Sequence, residues 1–295
     1  MKKKIAIIAG GDSSEYEVSL RSAAGIYSFL DHERYDTTIV RMRGNDWQAL
    51  PNINPLQDDL LQSGAPIDKN DFSYIHNGQK HHFDYAYITI HGTPGENGVL
   101  QGYLDMLRIP YSCCGVLAAA LSFNKYACNH YLSGFGIRTA KSILLRADAP
   151  IPSAQSIVDE VGLPCFIKSN VGGSSFGCSK VKHIDEVVSA IEKAFAEGGE
   201  VICEAFLQGT EVTCGVYKTQ TKSIAFPITE VVTENEFFDC VDPGDNEHPK
   251  SDQTRTGRHS QDLQKQPDQS GQYCERCSNS DGALWGPGDR AAGAC

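Results

Sequence analysis

The hydrophobic and polar positions in the N-terminal part of the chain alternate between two regular patterns. Short, continuous apolar runs at 5–9, 37–40 and 85–90 predict buried strands. Residues 14–30 space their apolar side chains three or four positions apart, which predicts an amphipathic helix. Strands that alternate with helices are typical of a parallel, doubly wound α/β sheet, which binds its ligands at the carboxyl ends of its strands. Residues 43–80, rich in Asn, Asp, Gln and Pro, look like a polar excursion from that domain.

A second unit is predicted to begin near Gly115. Its helical patterns lie around 116–134 and 152–162. Four further apolar runs suggest a more antiparallel sheet than the first one. These runs lie at 163–168, 200–206, 211–217 and 223–228.

Composition and charge narrow the class of protein. The chain has 295 residues, of which 40% are hydrophobic, so it can bury a sizeable core. A net charge of -11 argues against nucleic acid or an anionic membrane as the main partner. No apolar stretch approaches the roughly 20 residues of a membrane span. Eleven cysteines without a recognisable export signal indicate reduced thiols and a cytoplasmic location, and the lone Cys274–Cys277 pair is weak evidence for zinc.

Two motifs stand directly after predicted strands. Residues 10–17 read GGDSSEYE, where the glycines let backbone approach a ligand and the following helix N-terminus favours negative charge. Glu15 in this motif could bind a ligand or simply satisfy the helix dipole. Residues 91–98 read HGTPGENG, a composition that specifies a tight, shaped loop around His91. That histidine is either structural or part of a site.

A glycine-rich stretch in the second unit resembles a phosphate-binding loop that lacks its lysine. Gly172 and Gly177 have the spacing of a Walker A loop, but Cys178 occupies the position of the lysine. A lysine lies earlier, at Lys168, on the end of the preceding apolar run. The stretch is therefore either a broken nucleotide site or a site of another design.

Taken together, these motifs resemble the D-alanine–D-alanine ligase family. The resemblance covers residues 1–239, about four fifths of the chain. Its stretches are GGDSSEYEVSL (10–20), HGTPGENGVLQG (91–102), LSFNK (121–125), GLPCFIKSNVGGSSFGCSKV (162–181), VICEAFLQGTEVT (201–213) and FFD (237–239). The family implies an α/β fold with an N-terminal doubly wound domain followed by an ATP-grasp fold, whose last subdomain is incomplete in this chain.

The resemblance divides the chain into four segments. Residues 1–114 correspond to the N-terminal substrate domain and 115–200 to the central ATP-grasp subdomain. Residues 201–239 correspond to the start of the C-terminal ATP-grasp subdomain. Residues 240–295 do not match the family and, with few apolar residues, are expected to be disordered.

The family also implies roles for individual residues, and it answers the question of the glycine-rich stretch. Lys125 and Lys168 are expected to contact the phosphates of ATP, beneath a lid formed by 172–177. The remaining residues expected to bind the nucleotide are Ser175 in the lid, Glu204 at the adenine amino group, Ala205, Phe206 and Leu207 along the base, and Glu211 at the ribose.

The expected catalytic residues bind the first D-alanine. Glu15 is expected to receive its ammonium group, with Ser174 hydrogen-bonded beside it and His91 close by. The expected activity joins two D-alanines through an acyl phosphate, for peptidoglycan precursor synthesis. Mg²⁺, or Mn²⁺ as an alternative, is expected with ATP, and the family further implies a homodimer in the cytoplasm.

The chain departs from the family pattern after Asp239. A Tyr-Glu-Ala-Lys-Tyr continuation, an Arg-x-Asp strand and a Glu-x-Asn strand are expected there, and all three are absent. They would supply the metal ligands and an oxyanion-stabilising arginine, so no metal ligand is assigned in this chain. One hypothesis is that the codons after Asp239 are read out of frame or have been replaced.

The departure leaves the activity of this chain open. Without those elements, a ligase of this family is expected to be inactive. One alternative is a non-catalytic remnant that still binds nucleotide. Another is a ligase that joins D-alanine to D-lactate, because the residue that discriminates between the second substrates would fall in the absent part.

Overall fold

The computed structural model describes residues 2–173, 177–219 and 221–231. Most of these residues form two compact units, one of residues 2–123 and one of residues 124–217 and 223–231. The expectation of disorder in 240–295 lies outside the described residues.

The first unit contains seven strands and three helices. The strands are β1 (Lys3–Gly10), β2 (Tyr35–Arg43), β3 (Asp46–Leu50), β4 (Ala65–Asp68), β5 (Ser73–His76), β6 (Gln79–His81) and β7 (Tyr85–Ile88). The helices are α1 (Tyr16–Phe29), α2 (Val99–Met106) and α3 (Val116–Phe123).

The strands of the first unit form one mixed sheet, in the order β6-β5-β4-β3-β2-β1-β7. β1 pairs in parallel with β2 and β7, which is the predicted arrangement of alternating strands and helices. β3 to β6 extend this sheet by antiparallel pairing. The segment interpreted as a polar excursion therefore belongs largely to the sheet.

These additional strands form because a few apolar residues are spaced among the polar ones. Phe72 is fully buried, and the ring of Trp47 meets it edge-on with centroids 6.4 Å apart. Arg41 anchors the intervening loop by donating hydrogen bonds to the carbonyls of Leu60, at 2.9 Å, and Gln62, at 3.0 Å. Side-chain burial at isolated positions thus outweighs the polar composition of the segment.

The central strand β1 is buried on both faces. Ala6 and Ile8 pack into a core with residues of β2, β3, β5, α2 and β7, while Ile7 and Ala9 pack against α1. A strand that is covered on both sides reads as a continuous apolar run, because neither face meets water. This arrangement explains the continuous apolar run at 5–9 that predicted the strand.

The second unit consists of an antiparallel sheet and two strand pairs. Its strands are β8 (Ser142–Arg146), β9 (Cys165–Ser169), β10 (Ser179–Val181), β11 (Glu200–Ala205), β12 (Val212–Thr213), β13 (Val216–Lys218), β14 (Ser223–Ala225) and β15 (Thr229–Glu230). Its helices are α4 (Lys125–Ser133), α5 (Ala154–Val161) and α6 (Val187–Phe195), with a 3₁₀ turn at Ile184–Glu186. The four-stranded sheet has the order β10-β9-β11-β8, whereas β12 pairs with β15 and β13 with β14.

The helix predicted over 116–134 is two helices, α3 and α4, which meet at Asn124. Asn124 has an extended backbone, and its side chain accepts a hydrogen bond from the amide of Ala127 at 2.9 Å. Asparagine is a favoured N-cap for this reason, so α4 begins at Lys125. Within the described ranges, no helix is long and apolar enough to cross a bilayer.

Candidate active site

In the first unit, the two glycine-containing loops that follow β1 and β7 are joined by hydrogen bonds. The amide of Asp12 donates to the carbonyl of Thr93 at 2.8 Å. The hydroxyl of Ser13 donates to the carbonyl of His91, also at 2.8 Å, and accepts from the amide of Glu15 at 3.2 Å. Ser13 thus links the chain segments that carry Glu15 and His91, which the sequence analysis had assigned to one substrate.

The close approach of these loops requires glycine at two positions. Gly11 has φ of +95°, and a Cβ there would lie 2.5 Å from Cγ2 of Ile90. Gly92 has φ of +72°, and a Cβ there would lie 2.8 Å from Cβ of Ser13. Both the backbone conformation and the space exclude a side chain.

Loop 91–98 is fixed by its own acidic residue and by α2. The carboxylate of Glu96 accepts a hydrogen bond from the amide of Gly92 at 2.7 Å. Gln101, which is 1% exposed, donates from its side-chain amide to the carbonyl of Gly95. The loop is consequently held at both ends, and His91 lies on it in a half-buried position.

Glu15 immediately precedes α1 and is half-buried. Within the described part of the chain, its side chain makes no capping hydrogen bond with α1, and Glu17 supplies the acidic residue of the first turn. Both carboxylates lie at the N-terminus of α1, so ligand binding and interaction with the helix dipole are both predicted roles of Glu15.

In the second unit, three of the predicted nucleotide-binding side chains gather on the sheet. Lys168 on β9 and Glu204 on β11 form an ion pair, with side chains 25% and 14% exposed. Lys125, at the start of α4, donates from its ammonium group to the carbonyl of Gly172 at 2.8 Å. Lys125, one of the two lysines expected to contact phosphate, thus lies beside the glycine-rich stretch that the sequence singled out.

Asn170 fastens α4 to the end of β9. Its side chain is fully buried, accepts from the amide of Tyr126 at 2.9 Å and donates to the carboxylate of Glu200 at 2.8 Å. Its carbonyl accepts from the amide of Lys125 at 3.0 Å. The position of Lys125 is therefore determined by a residue whose importance the sequence analysis did not recognise.

The environment of the lysine cluster changes two pKa values. Burial, and then the neighbouring charge of Lys168, lower the pKa of Lys125 to about 8. Burial raises the pKa of the Cys178 thiol, in spite of the nearby lysines. The ammonium groups of Lys125 and Lys168 repel each other. An anionic ligand that contacts both would offset this repulsion.

The remaining predicted nucleotide-binding residues follow β11. Ala205 ends that strand, Phe206 is half-buried, and Leu207 is exposed. Glu211 is also exposed, and its carbonyl accepts from the amide of Val231 at 2.9 Å. Ser174 and Ser175 lie outside the described residues.

Two aromatic contacts near this cluster were not predicted. The rings of Phe166 and Phe206 have centroids 6.0 Å apart, and the ammonium of Lys180 lies 4.5 Å from the centroid of Phe206. Phe166 is two residues before Lys168 on β9, so both side chains point to the same face of the strand. The two-residue spacing of Phe166 and Lys168 was the sequence signal that could have predicted an apolar and a cationic side chain on the same strand face.

A magnesium site does not emerge from the residues that the structure describes. Across these ranges there is no group of three or more His, Cys, Asp or Glu side chains that could hold a metal ion. No metal ligand is therefore assigned among the described residues, and the roles proposed below for them are those of protein side chains.

The fold defines an ATP-grasp ligase: a doubly wound unit is followed by an antiparallel sheet, with two neighbouring lysines beside a glycine-rich stretch. Solved structures confirm this class. The crystal structure of D-alanyl-alanine synthetase A from Vibrio cholerae has a TM-score of 0.69 and 28% identity, covering 80% of this chain and 68% of that one. VanG D-Ala:D-Ser ligase from Enterococcus faecalis has a TM-score of 0.70 and 29% identity, covering 81% and 73%.

The family follows from sequence. The family model described as D-ala D-ala ligase N-terminus matches residues 4–114, and the one described as D-ala D-ala ligase C-terminus matches 132–257. The second match extends past Asp239, the limit predicted from the motifs. The D-alanine–D-alanine ligase of Phocaeicola vulgatus is 59% identical over 239 residues, covering 81% of this chain and 71% of the relative. That of Bacteroides fragilis is 58% identical over 239 residues, with the same coverage. The chain belongs to the D-alanine–D-alanine ligase family, as predicted, and its relatives are enzymes.

Proposed function

We propose that this chain has the substrate and nucleotide sites of an ATP-dependent ligase that joins two D-alanines for peptidoglycan precursor synthesis. The observation that carries the proposal is the 59% identity with the Phocaeicola vulgatus ligase across 71% of that relative. The gathering of Lys125, Lys168 and Glu204 on the second sheet supports it independently. A structure of the Bacillus anthracis ligase complexed with ATP, with a TM-score of 0.59 and 26% identity, supports ATP as the nucleotide.

The nucleotide is bound by the second unit. Lys125 and Lys168 neutralise phosphate charge, which matters in a chain whose net charge is -11. Lys168 is paired with Glu204 in the structure, so ATP binding requires Lys168 to exchange this carboxylate for phosphate. Glu204 then accepts from the adenine amino group. Ala205, Phe206 and Leu207 line the base, Glu211 binds the ribose, and Ser175 belongs to the lid over the phosphates.

The first D-alanine is bound by the first unit. Glu15 receives its ammonium group, and His91 lies close to the same substrate, with the two segments linked through Ser13. Ser174 is assigned to the same substrate by the family resemblance alone. A carboxylate and an ammonium group recognise each other through charge-assisted hydrogen bonds, which are among the stronger contacts in proteins.

The reaction proceeds through an acyl phosphate. A carboxylate oxygen of the first D-alanine attacks the γ-phosphorus of ATP, and the bond to the bridging oxygen breaks to release ADP. The amine of the second D-alanine then attacks the acyl carbon, loses a proton, and phosphate leaves. The contribution of the protein is positioning and charge stabilisation, with exclusion of water from the acyl phosphate.

We further propose that the chain does not complete this reaction. After Asp239 the expected arginine, which would stabilise the oxyanion, and the expected metal ligands are absent from the sequence. Loss of a single oxyanion donor costs about 100–1,000-fold in rate, so the combined losses place turnover below detection. Mg²⁺ or Mn²⁺ as the accompanying ion, a homodimer, and a cytoplasmic location are part of the same proposal.

The test is D-alanine-dependent release of phosphate from Mg-ATP. The full chain is compared with a chimera in which residues 1–239 are followed by the corresponding C-terminal part of the Phocaeicola vulgatus ligase. We expect turnover from the chimera alone, and D-lactate offered as the second substrate checks that alternative. Turnover by the full chain would contradict its inactivity, and a chimera without D-alanine-dependent release would contradict the ligase assignment.

A further inference from the structure

Ser13 lies between the two chain segments that carry the proposed D-alanine residues. Its hydroxyl accepts a hydrogen bond from the amide of Glu15 at 3.2 Å and donates one to the carbonyl of His91 at 2.8 Å. A serine hydroxyl has a single proton, so its donation to His91 leaves the oxygen lone pairs for Glu15. The direction of both bonds is therefore fixed, and the backbone of Glu15 is tied to the backbone of His91.

A second serine forms a bridge of the same kind in the same unit. The hydroxyl of Ser19, which is fully buried, accepts from the amide of Gly10 at 2.9 Å and donates to the carbonyl of Thr89 at 2.8 Å. These bonds join the last residue of β1 to the residue that follows β7. Ser19 thus matches Ser13 in chemistry, but it connects the strand ends and not the two loops.

The backbone around Ser13 is held by contacts on two sides. The carboxylate of Asp12 accepts from the amide of Gly44 at 2.6 Å, which ties the motif to the turn after β2. On the other side, a Cβ at Gly92 would lie 2.8 Å from Cβ of Ser13, so loop 91–98 approaches Ser13 as closely as a glycine permits. The hydroxyl of Ser13 is the contact through which this fixed backbone reaches Glu15.

We propose that Ser13 is a positioning residue for the first substrate, because it sets the placement of Glu15 relative to His91. The inference rests on the proposed function, in which Glu15 receives the ammonium group of the first D-alanine. Ser13 acts through Glu15 and needs no contact of its own with the ligand. A carboxylate whose backbone is fixed in advance loses less conformational freedom on binding, and this improves the affinity.

A purely structural role for Ser13 makes a different prediction. Removal of either serine hydroxyl leaves an amide and a carbonyl without their partner, which lowers the stability of the unit. This loss applies to Ser13 and Ser19 alike, since each bridge joins two backbone groups. Only the positioning role makes the loss of Ser13 act on D-alanine binding through Glu15. The two serines are therefore a matched pair for the experiment.

The experiment measures D-alanine binding to the full chain by isothermal titration calorimetry. Ser13→Ala should weaken binding by about five- to tenfold, the effect of losing one hydrogen bond on which the site depends. Ser19→Ala should keep the affinity within about twofold, while it lowers the melting temperature at least as much. Each change is then combined with Glu15→Gln. Because Ser13 acts through Glu15, Ser13→Ala should have little further effect on the affinity of the Glu15→Gln variant.

Three results in a chain that binds D-alanine would overturn the positioning role alone. They are an unchanged affinity in Ser13→Ala, an equal loss in Ser19→Ala, and a loss in Ser13→Ala that adds fully to that of Glu15→Gln. Circular dichroism verifies that each variant is folded. If Ser13→Ala does not fold, Ser13→Cys replaces it and should weaken binding by a smaller factor, because a thiol is a weak donor and acceptor. If the unmodified chain does not bind D-alanine, the proposed function fails, and the inference fails with it.

Discussion

Lys168 contacts Glu204 in the structure, the carboxylate that we propose to receive adenine. The pair keeps both charges compensated in a partly buried position, where an unpaired charge would be costly. ATP offers each partner a replacement, phosphate for the lysine and an amino group for the carboxylate. The site can therefore be preorganised without closing it to the nucleotide.

Lys168→Ala should weaken ATP binding by about tenfold or more, since a charge-assisted contact contributes about 1.5–3 kcal/mol. Isothermal titration calorimetry measures this change. Lys141→Ala is the control, because that lysine is on the same unit and its side chain is 60% exposed. An unchanged affinity in Lys168→Ala would remove Lys168 from the site.

ATP binding should weaken as the pH rises through about 8, the lowered pKa of Lys125. Below this pH the ammonium is charged and meets phosphate directly. Above it, binding requires proton uptake, so the affinity falls by up to about tenfold per pH unit. Titrations between about pH 7 and pH 10 test the slope. Lys125→Arg should flatten it because guanidinium stays charged, and an equal slope in that variant would refute the assignment.

Glu15→Gln should raise the D-alanine concentration needed for half-maximal turnover by about tenfold or more, because the ammonium partner loses its charge. The measurement uses the chimera, with Glu17→Gln as the control in the first turn of α1. The melting temperature should change equally little in both variants. Equal use of D-alanine by both would instead support a role for Glu15 at the helix dipole.

At the scale of elements, the site depends on contacts that no local pattern encodes. β9 and α4 are separated in the chain by β8 and α5, yet Asn170 joins the end of one to the start of the other. The glycine loops after β1 and β7 are likewise brought together by Ser13. Each element was recognisable by itself, whereas the side chains that join them resembled ordinary polar loop residues.

Asn170→Ala should destabilise the second unit by about 1–3 kcal/mol, mainly because the part-buried amide of Tyr126 loses its acceptor, whereas Glu200 keeps its contact with Arg146. The amide of Tyr126 and the carboxylate of Glu200 both lose their bond to this side chain. Urea unfolding, followed by circular dichroism, measures the loss. Asn129→Ala on α4 is the control, since Asn129 is only partly buried. A similar loss in both variants would contradict the anchoring role of Asn170.

At the scale of the whole molecule, the residues proposed to bind ATP and most of those proposed to bind the first D-alanine lie in different units. The candidate D-alanine residues described here, Glu15 and His91, belong to the first unit, and Lys125, Lys168 and Glu204 belong to the second. Each unit has its own buried core. This division predicts that the two ligands protect different parts of the chain.

Hydrogen exchange followed by mass spectrometry should show this separation in the full chain. ATP should slow exchange in α4, β9 and β11, and D-alanine alone should slow it in 11–16 and 91–98. The reason is that a ligand stabilises the backbone that it contacts against local opening. Strands β5 and β6, which carry none of the proposed site residues, serve as an internal reference. Protection by ATP confined to the first unit would contradict the assignment.

The sequence by itself determined the family, the α/β class and the strands buried on both faces, such as β1. Those features depend on local periodicity and on motifs, which can be read without knowledge of the fold. The resemblance also proposed Lys125, Lys168 and Glu204 as nucleotide-binding residues, since it covers the segments that carry them. The four antiparallel strands of 46–81 were not recognised, because their few apolar residues are diluted by polar neighbours.

Only the tertiary structure decided how the recognised parts combine. The pairing of Lys168 with Glu204 and the lowered pKa of Lys125 arise from distances between residues far apart in sequence. The exposure of the strands in 207–231 likewise became visible only in the structure. Apolar strand residues predict burial from sequence, whereas several of these side chains are exposed. Burial and electrostatics depend on everything that surrounds a side chain, and a linear pattern specifies only its neighbours along the chain.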